Sequence, residues 1–158
     1  MRYLFRGALA IIFLASTLSA KVVVFSEQNF PSVDTQPVSV HTLSTALGPD
    51  VAFADLDGLR NEETLRGTDL LVLPYGSAVP VEAWPAIERY LHTGGNLLII
   101  GGKPLHVPVA KNGGSFTKEL PQDTYSRVLG FRHVYTVPVT GEVKFYWRDG
   151  YSFFPRIE

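Results

Sequence analysis

The residues of this chain that could do chemistry are few and loosely spaced. Four histidines, His41, His92, His106 and His133, stand far apart, with no two at the i, i+4 spacing that sets metal ligands on one helix face. Their pattern reads as surface and packing positions. His106 differs in lying near Lys103, within a stretch, 102–115, rich in glycine and proline. There is no cysteine, which excludes a thiol nucleophile, a thiolate metal site and disulfide staples. The loop carboxylates are Glu27, Asp34, Asp55 and Asp57. A facing pair separated by about 5–9 Å would suit glycoside hydrolysis.

Familiar site motifs do not match. The loop Ser26-Glu27-Gln28-Asn29-Phe30-Pro31 has no glycine, against a dinucleotide or flavin turn. Gly102-Lys103 has Leu97 where a Walker phosphate loop needs its first glycine, and Pro104 where Ser or Thr belongs. Pro74 stands where a phosphoacceptor aspartate would end the third strand. Gly76-Ser77-Ala78-Val79 is half of a Gly-x-Ser-x-Gly elbow. Tyr146, Trp147, Tyr151, Phe153 and Phe154 could stack on sugar faces, though packing against neighbouring structure is the favoured reading. No cofactor and no metal are implied.

The elements that must position these residues alternate. Short apolar runs at 21–25, 51–54, 69–74 and 96–101 read as strands, the first of them buried on both faces. Val40, Leu43 and Leu47 mark a helix closed by Gly48-Pro49, and Asn61 caps a short helix running to Leu65. A helix over 81–93 places Trp84, Ile87 and Leu91 on one side and ends at Gly94-Gly95, with one glycine at positive φ. Strands alternating with amphipathic helices predict an α/β fold with an open parallel sheet. Residues 75–80 and 102–115 read as loops, 122–129 as a short helix ended by Gly130, and 134–139 as a strand. Arg148-Asp149-Gly150 predicts a tight turn joining strands at 143–147 and 151–154, a C-terminal β-hairpin. In such sheets the ligand crevice lies beyond the carboxyl ends of the strands. The loops to watch therefore begin at Ser26, Asp55, Tyr75 and Gly102.

Residues 1–20 read as a secretory signal peptide. Arg2 and Arg6 precede an apolar run over 8–15, and Ser16, Thr17, Ser19 and Ala20 supply small residues. Cleavage is placed after Ala20, with the Ser19–Ala20 bond as the alternative. The run is shorter than the roughly 20 residues a spanning helix needs. The expected destination is secreted or periplasmic. Loss of Arg2 and Arg6 takes the formal net charge from −1 to −3, and no basic block argues for nucleic acid. Apolar residues at 46% suffice for a core. The division expected is signal peptide 1–20, an α/β domain 21–140, and at 141–158 a hairpin or the start of a following domain.

The segment Asp69-Leu70-Leu71-Val72-Leu73-Pro74-Tyr75-Gly76-Ser77, the helix containing Ile87-Glu88-Arg89-Tyr90-Leu91, and Gly94-Gly95-Asn96-Leu97-Leu98-Ile99-Ile100-Gly101-Gly102 together resemble the class I glutamine amidotransferase-like fold, a flavodoxin-like sheet. The resemblance covers about 21–105. More narrowly it is to non-catalytic versions, as in the trimerisation domain of bacterial β-galactosidases and the N-terminal domains of large secreted glycosidase-like proteins. In catalytic members the loop after the third strand forms an oxyanion hole, the place of Tyr75-Gly76-Ser77. Their cysteine nucleophile follows the fourth strand, where this chain has Gly101-Gly102-Lys103. The resemblance thus implies the scaffold without amidotransferase activity.

The function expected on these grounds is a non-catalytic accessory domain of an exported carbohydrate-active protein, assembling or orienting a hydrolase module. Its implied partners are a downstream glycosidase-like domain or an associated chain, with carbohydrate as a ligand and a homo-oligomer as an assembly. One alternative is an independent module binding a sugar or other small ligand through Tyr75, Gly76, Ser77, Gly102, Lys103, His106 and Glu27. Another is a hydrolase using carboxylates or His106.

Overall fold

The computed structural model describes residues 20–130. Residues 1–19, the strand expected at 134–139 and the hairpin around Arg148-Asp149-Gly150 lie outside the described residues, as does His133. In chain order the elements are β1 (Val22–Phe25), α1 (Val40–Leu47), β2 (Ala52–Ala54), α2 (Leu56–Arg60), α3 (Glu62–Leu65), β3 (Leu70–Leu73), β4 (Ala78–Pro80), α4 (Trp84–His92), β5 (Asn96–Ile99), β6 (Val107–Asn112) and β7 (Ser115–Lys118). A 3-10 turn, Val81–Ala83, leads into α4, and another, Ser126–Leu129, follows β7.

The four apolar runs are neighbouring strands of one sheet, in the order β2-β1-β3-β5, and every pairing is parallel. Alternation of side chains along each strand divides the sheet into two faces. Val23, Phe25, Leu71 and Leu73 pack on Leu56, Leu59, Leu65, Ile87 and Tyr90 from α2, α3 and α4. Val24 and Val72 point the other way, against Leu43 of α1. Burial on both faces is why β1 and β3 are apolar at consecutive positions.

Local chemistry starts and stops the helices. The Ser39 hydroxyl accepts the Thr42 N–H at 3.0 Å, and Asn61 accepts the Glu63 N–H at 3.1 Å, as its place in the sequence predicts. Pro85 sits in the first turn of α4, where its missing N–H costs nothing. Gly94 beyond α4 has φ of 92°, the positive value expected of one of the paired glycines. Gly95 is needed for another reason, since a Cβ there would come within 2.2 Å of the Tyr90 ring.

Four readings need correction. Residues 78–80, expected as loop, form β4, and 102–115 contains β6 and the start of β7; together they make a second sheet ordered β4-β6-β7, parallel then antiparallel. Gly113 and Gly114, with φ of 56° and 97°, form the two-residue turn between the paired Asn112 and Ser115. The strand expected at 51–54 is followed at once by an unforeseen helix, α2, which Asp55 caps by accepting the Gly58 N–H at 2.7 Å. The helix expected over 122–129 is a single 3-10 turn, closed by left-handed Gly130.

Candidate functional site

The loops leaving the carboxyl ends of β1, β3 and β5 converge on Ser77. Val33, in the loop after β1, pairs with Gly76 as an isolated parallel bridge: the Val33 N–H donates to Tyr75 O at 3.1 Å, and the Ser77 N–H donates to Val33 O at 2.9 Å. The Gly76 N–H donates to Ile100 O at 3.1 Å, which draws in the loop after β5. The Ser77 hydroxyl then donates to Asp34 Oδ2 at 2.6 Å and accepts the Lys103 N–H at 2.7 Å. Its carbonyl accepts from the N–H groups of His106 and Val107 at 3.0 and 2.8 Å. Ser77 is fully buried.

Two glycines make that closeness feasible. Gly76 has φ of 67°, and a Cβ on it would stand 2.0 Å from Val33 O. Gly102 has φ of 63°, and its Cβ would lie 2.4 Å from the Ser77 nitrogen.

A second group of bonds lies beside the first. Tyr75 Oη accepts the Glu27 N–H at 2.9 Å and donates to Glu27 O at 3.2 Å. The Glu27 carboxylate reaches back to accept the Leu56 N–H at 2.8 Å, at the first turn of α2. The Tyr75 ring meets Phe25 and Phe30 edge-on, with centroids 5.2 and 4.9 Å away, and Phe30 meets Phe116 of β7 at 5.1 Å. Burial pushes the Tyr75 phenol above its ordinary range, so it stays protonated and keeps its donor at neutral pH. His106 Nδ1 lies 3.2 Å from Asp123 Oδ1 at the margin of this region, and the Gln122 N–H donates to His106 O at 2.8 Å.

All seven residues singled out in the sequence lie in the loops after β1, β3 and β5. Tyr75 and Glu27 form one group; Gly76, Ser77, Gly102 and Lys103 form the other, with His106 tied to it through its backbone. The N–H groups of Gly76 and Ser77 are directed at protein carbonyls, those of Ile100 and Val33. Asp34, the partner that sequence reasoning left out of the site, is 43 residues from Ser77, and no local spacing marks the pair. Among the described residues no three His, Asp or Glu side chains are grouped to hold a metal ion. No helix among them is long and apolar enough to cross a membrane.

The chain matches no family model, no curated protein and no solved structure.

A cavity of about 400 Å³ lies at the opposite end of the sheet, at the amino ends of β3 and β5. Glu62, Arg66, Asp69, Arg89, Tyr90 and Asn96 are in its lining. An Arg89–Glu62 ion pair joins α4 to α3 at its wall, and Tyr90 Oη donates to Asn96 O at 2.9 Å. Burial raises the Tyr90 phenol too, with the Asp69 carboxylate acting in the same direction. Nothing local in the sequence marks this cavity, because its lining comes from α3, α4 and the segments leading into β3 and β5, which meet only in the fold.

Proposed function

We propose that the chain is a non-catalytic accessory domain of an exported carbohydrate-active protein, built on a flavodoxin-like, glutamine amidotransferase-like scaffold. The strand order β2-β1-β3-β5, all parallel, agrees with the first four positions of the flavodoxin-like order. The observation that carries the non-catalytic part is the use made of Ser77. Its hydroxyl, its N–H and its carbonyl are all bonded within the loop cluster, and Glu27 and Tyr75 are committed in the same way. A cluster so used fixes the shape of the crevice end and offers a firm surface to a neighbouring module. The carbohydrate setting comes from the resemblance to β-galactosidase and glycosidase-associated domains and from the leader-like N-terminus.

The test is genetic. Reading the coding sequence beyond Glu158 and across its neighbours is expected to reveal a glycosidase-like module in frame or alongside. A stop codon in an intact gene, with no hydrolase encoded nearby, overturns the proposal.

The amino-end cavity favours a second reading, a small-ligand module, because about 400 Å³ falls within the range of small-molecule sites. Thermal shift against a panel of sugars and small anions separates the two readings. A ligand-dependent rise in melting temperature supports the second, and an unchanged melting temperature supports an assembly role.

A further inference from the structure

Lys21 holds the amino end of the sheet together. Its backbone nitrogen donates to Asp69 Oδ2 at 2.8 Å, and its carbonyl accepts from the N–H groups of Asp69 and Leu70 at 2.9 and 3.3 Å. Its Nζ donates to the carbonyls of Thr64 and Arg66 at 3.0 and 2.9 Å. One residue therefore fastens the start of β1 to the end of α3 and to the start of β3. Because β1 pairs with both β2 and β3, this tie fixes an interior strand. Lys21 is also the residue that directly follows the leader as read from the sequence. Ala20 and Lys21 are both exposed.

We propose that removal of the leader after Ala20 turns the Lys21–Asp69 hydrogen bond into an ion pair, so that maturation itself tightens the sheet. The inference rests on the export reading above. Hydrolysis by a leader peptidase breaks the bond between the Ala20 carbonyl carbon and the Lys21 nitrogen. The hydroxyl of water goes to that carbonyl and its hydrogen to the nitrogen. The new α-amine then takes a proton from solvent, since its ordinary pKa is about 7.7–8.0. The nitrogen stays on the same Cα, so a neutral N–H donor becomes an ammonium donor to the same carboxylate without a change of fold. The carboxylate is already a charged acceptor, so what cleavage adds is a charge on the donor and its Coulombic attraction to Asp69.

The surrounding charges favour the pair. The Lys21 side-chain ammonium is turned toward the Thr64 and Arg66 carbonyls, away from competition with its own α-ammonium. Arg66 is engaged by Glu63, and Arg89 by Glu62. The Tyr90 phenol, raised by burial, is neutral at physiological pH and does not repel Asp69. Asn96 Nδ2 steadies the Asp69 backbone by donating to its carbonyl at 2.9 Å.

The test begins with the full chain, expressed with its leader and recovered after export, its first residue read by mass spectrometry. The expected start is Lys21. A start at another nearby residue overturns this inference but spares the leader, whereas retention of residues 1–20 overturns both. A double-mutant cycle follows: chains starting at Lys21 or retaining Ser19 and Ala20, each with and without Asp69→Asn. Retaining the two residues is expected to lower the melting temperature by about 3 °C with Asp69 present and by clearly less in the variant, whose amide oxygen still accepts but carries no charge. Equal lowering in both backgrounds overturns the ion pair alone. If Asp69→Asn does not fold, the wild-type pair of chains still decides. Their difference should persist at pH 6 and vanish near pH 11, where the α-amine is neutral; a difference that survives at pH 11 overturns the proposal.

Discussion

Ser77 Oγ donates to Asp34 Oδ2 over 2.6 Å at a fully buried position, while the same oxygen accepts the Lys103 N–H at 2.7 Å. A single hydroxyl thereby joins three chain segments that are remote in sequence. Asp34 itself is held at φ of 56°, a conformation uncommon for a residue with a side chain, and one that this bond helps to fix.

Ser77→Ala leaves the Lys103 N–H and the Asp34 carboxylate without this partner. The expected loss of stability is about 1–3 kcal/mol, the range for an orphaned buried polar group. Urea denaturation of the single variants and of Ser77→Ala with Asp34→Asn gives the coupling. The two losses should not fully add, because Ser77→Ala removes the bond that Asp34→Asn weakens by taking away its charge.

Gly76→Ala and Gly113→Ala separate crowding from backbone preference. Both glycines have positive φ, but a Cβ at 76 meets Val33 O at 2.0 Å, whereas one at 113 meets nothing within 4 Å. Gly113→Ala is expected to cost about 1–2 kcal/mol, the penalty for a side chain in the left-handed region. Gly76→Ala should cost about 3 kcal/mol or more, as its cradle must open. Equal losses in urea denaturation would contradict the crowding argument.

What the sequence discloses, and what it hides, follows from the range of the interactions. β1 and β3 are legible because an apolar run buried on both faces is a local pattern, and β5 because a short apolar run follows the Gly94-Gly95 helix stop, although its side chains stay partly exposed. So is the α3 cap at Asn61. β4 is three residues long and exists by pairing with β6, whose partners Val107, Pro108 and Val109 lie about thirty positions on. Pro108 makes β6 look like loop, yet it lies outside the β7 ladder, which begins at Val109. The Gly113-Gly114 pair was a readable hairpin signal, misread because the strands beside it were not recognised. At the site, the types and positions of Tyr75, Ser77 and Glu27 were visible, but their partners were not.

Leu71 and Leu98 test the two-faced sheet. Leu71 is buried completely between the sheet and its helices, while Leu98 on β5 is 41% exposed. Leu71→Ala should cost about 2–5 kcal/mol, the range for a core cavity. Leu98→Ala should cost less than about 1 kcal/mol, since little of the side chain's transfer energy is gained there. Similar losses for the two would show that the second face of β5 is covered in solution.

Tyr75 sets an alkaline limit on stability. Burial raises its phenol above the ordinary 10.0, and the Glu27 charge adds to this, against hydrogen bonds from the Glu27 backbone and from Ser26 that lower it. Unfolded chains therefore lose this proton first as pH rises. The native state then holds more protons than the unfolded one, so stability falls with pH. The contribution is complete below about pH 10 and is lost as pH climbs through the folded value. Tyr90 and Tyr125 are raised chiefly by burial too and act in the same direction. Tyr75→Phe removes one of the three groups, so its alkaline loss between pH 9 and pH 11 should be shallower than that of the parent. At neutral pH the same variant should be about 1 kcal/mol less stable, because the Glu27 N–H loses its acceptor. Urea midpoints across that pH range check both effects, and parallel curves for the two proteins would show that Tyr75 ionises as freely in the fold as outside it.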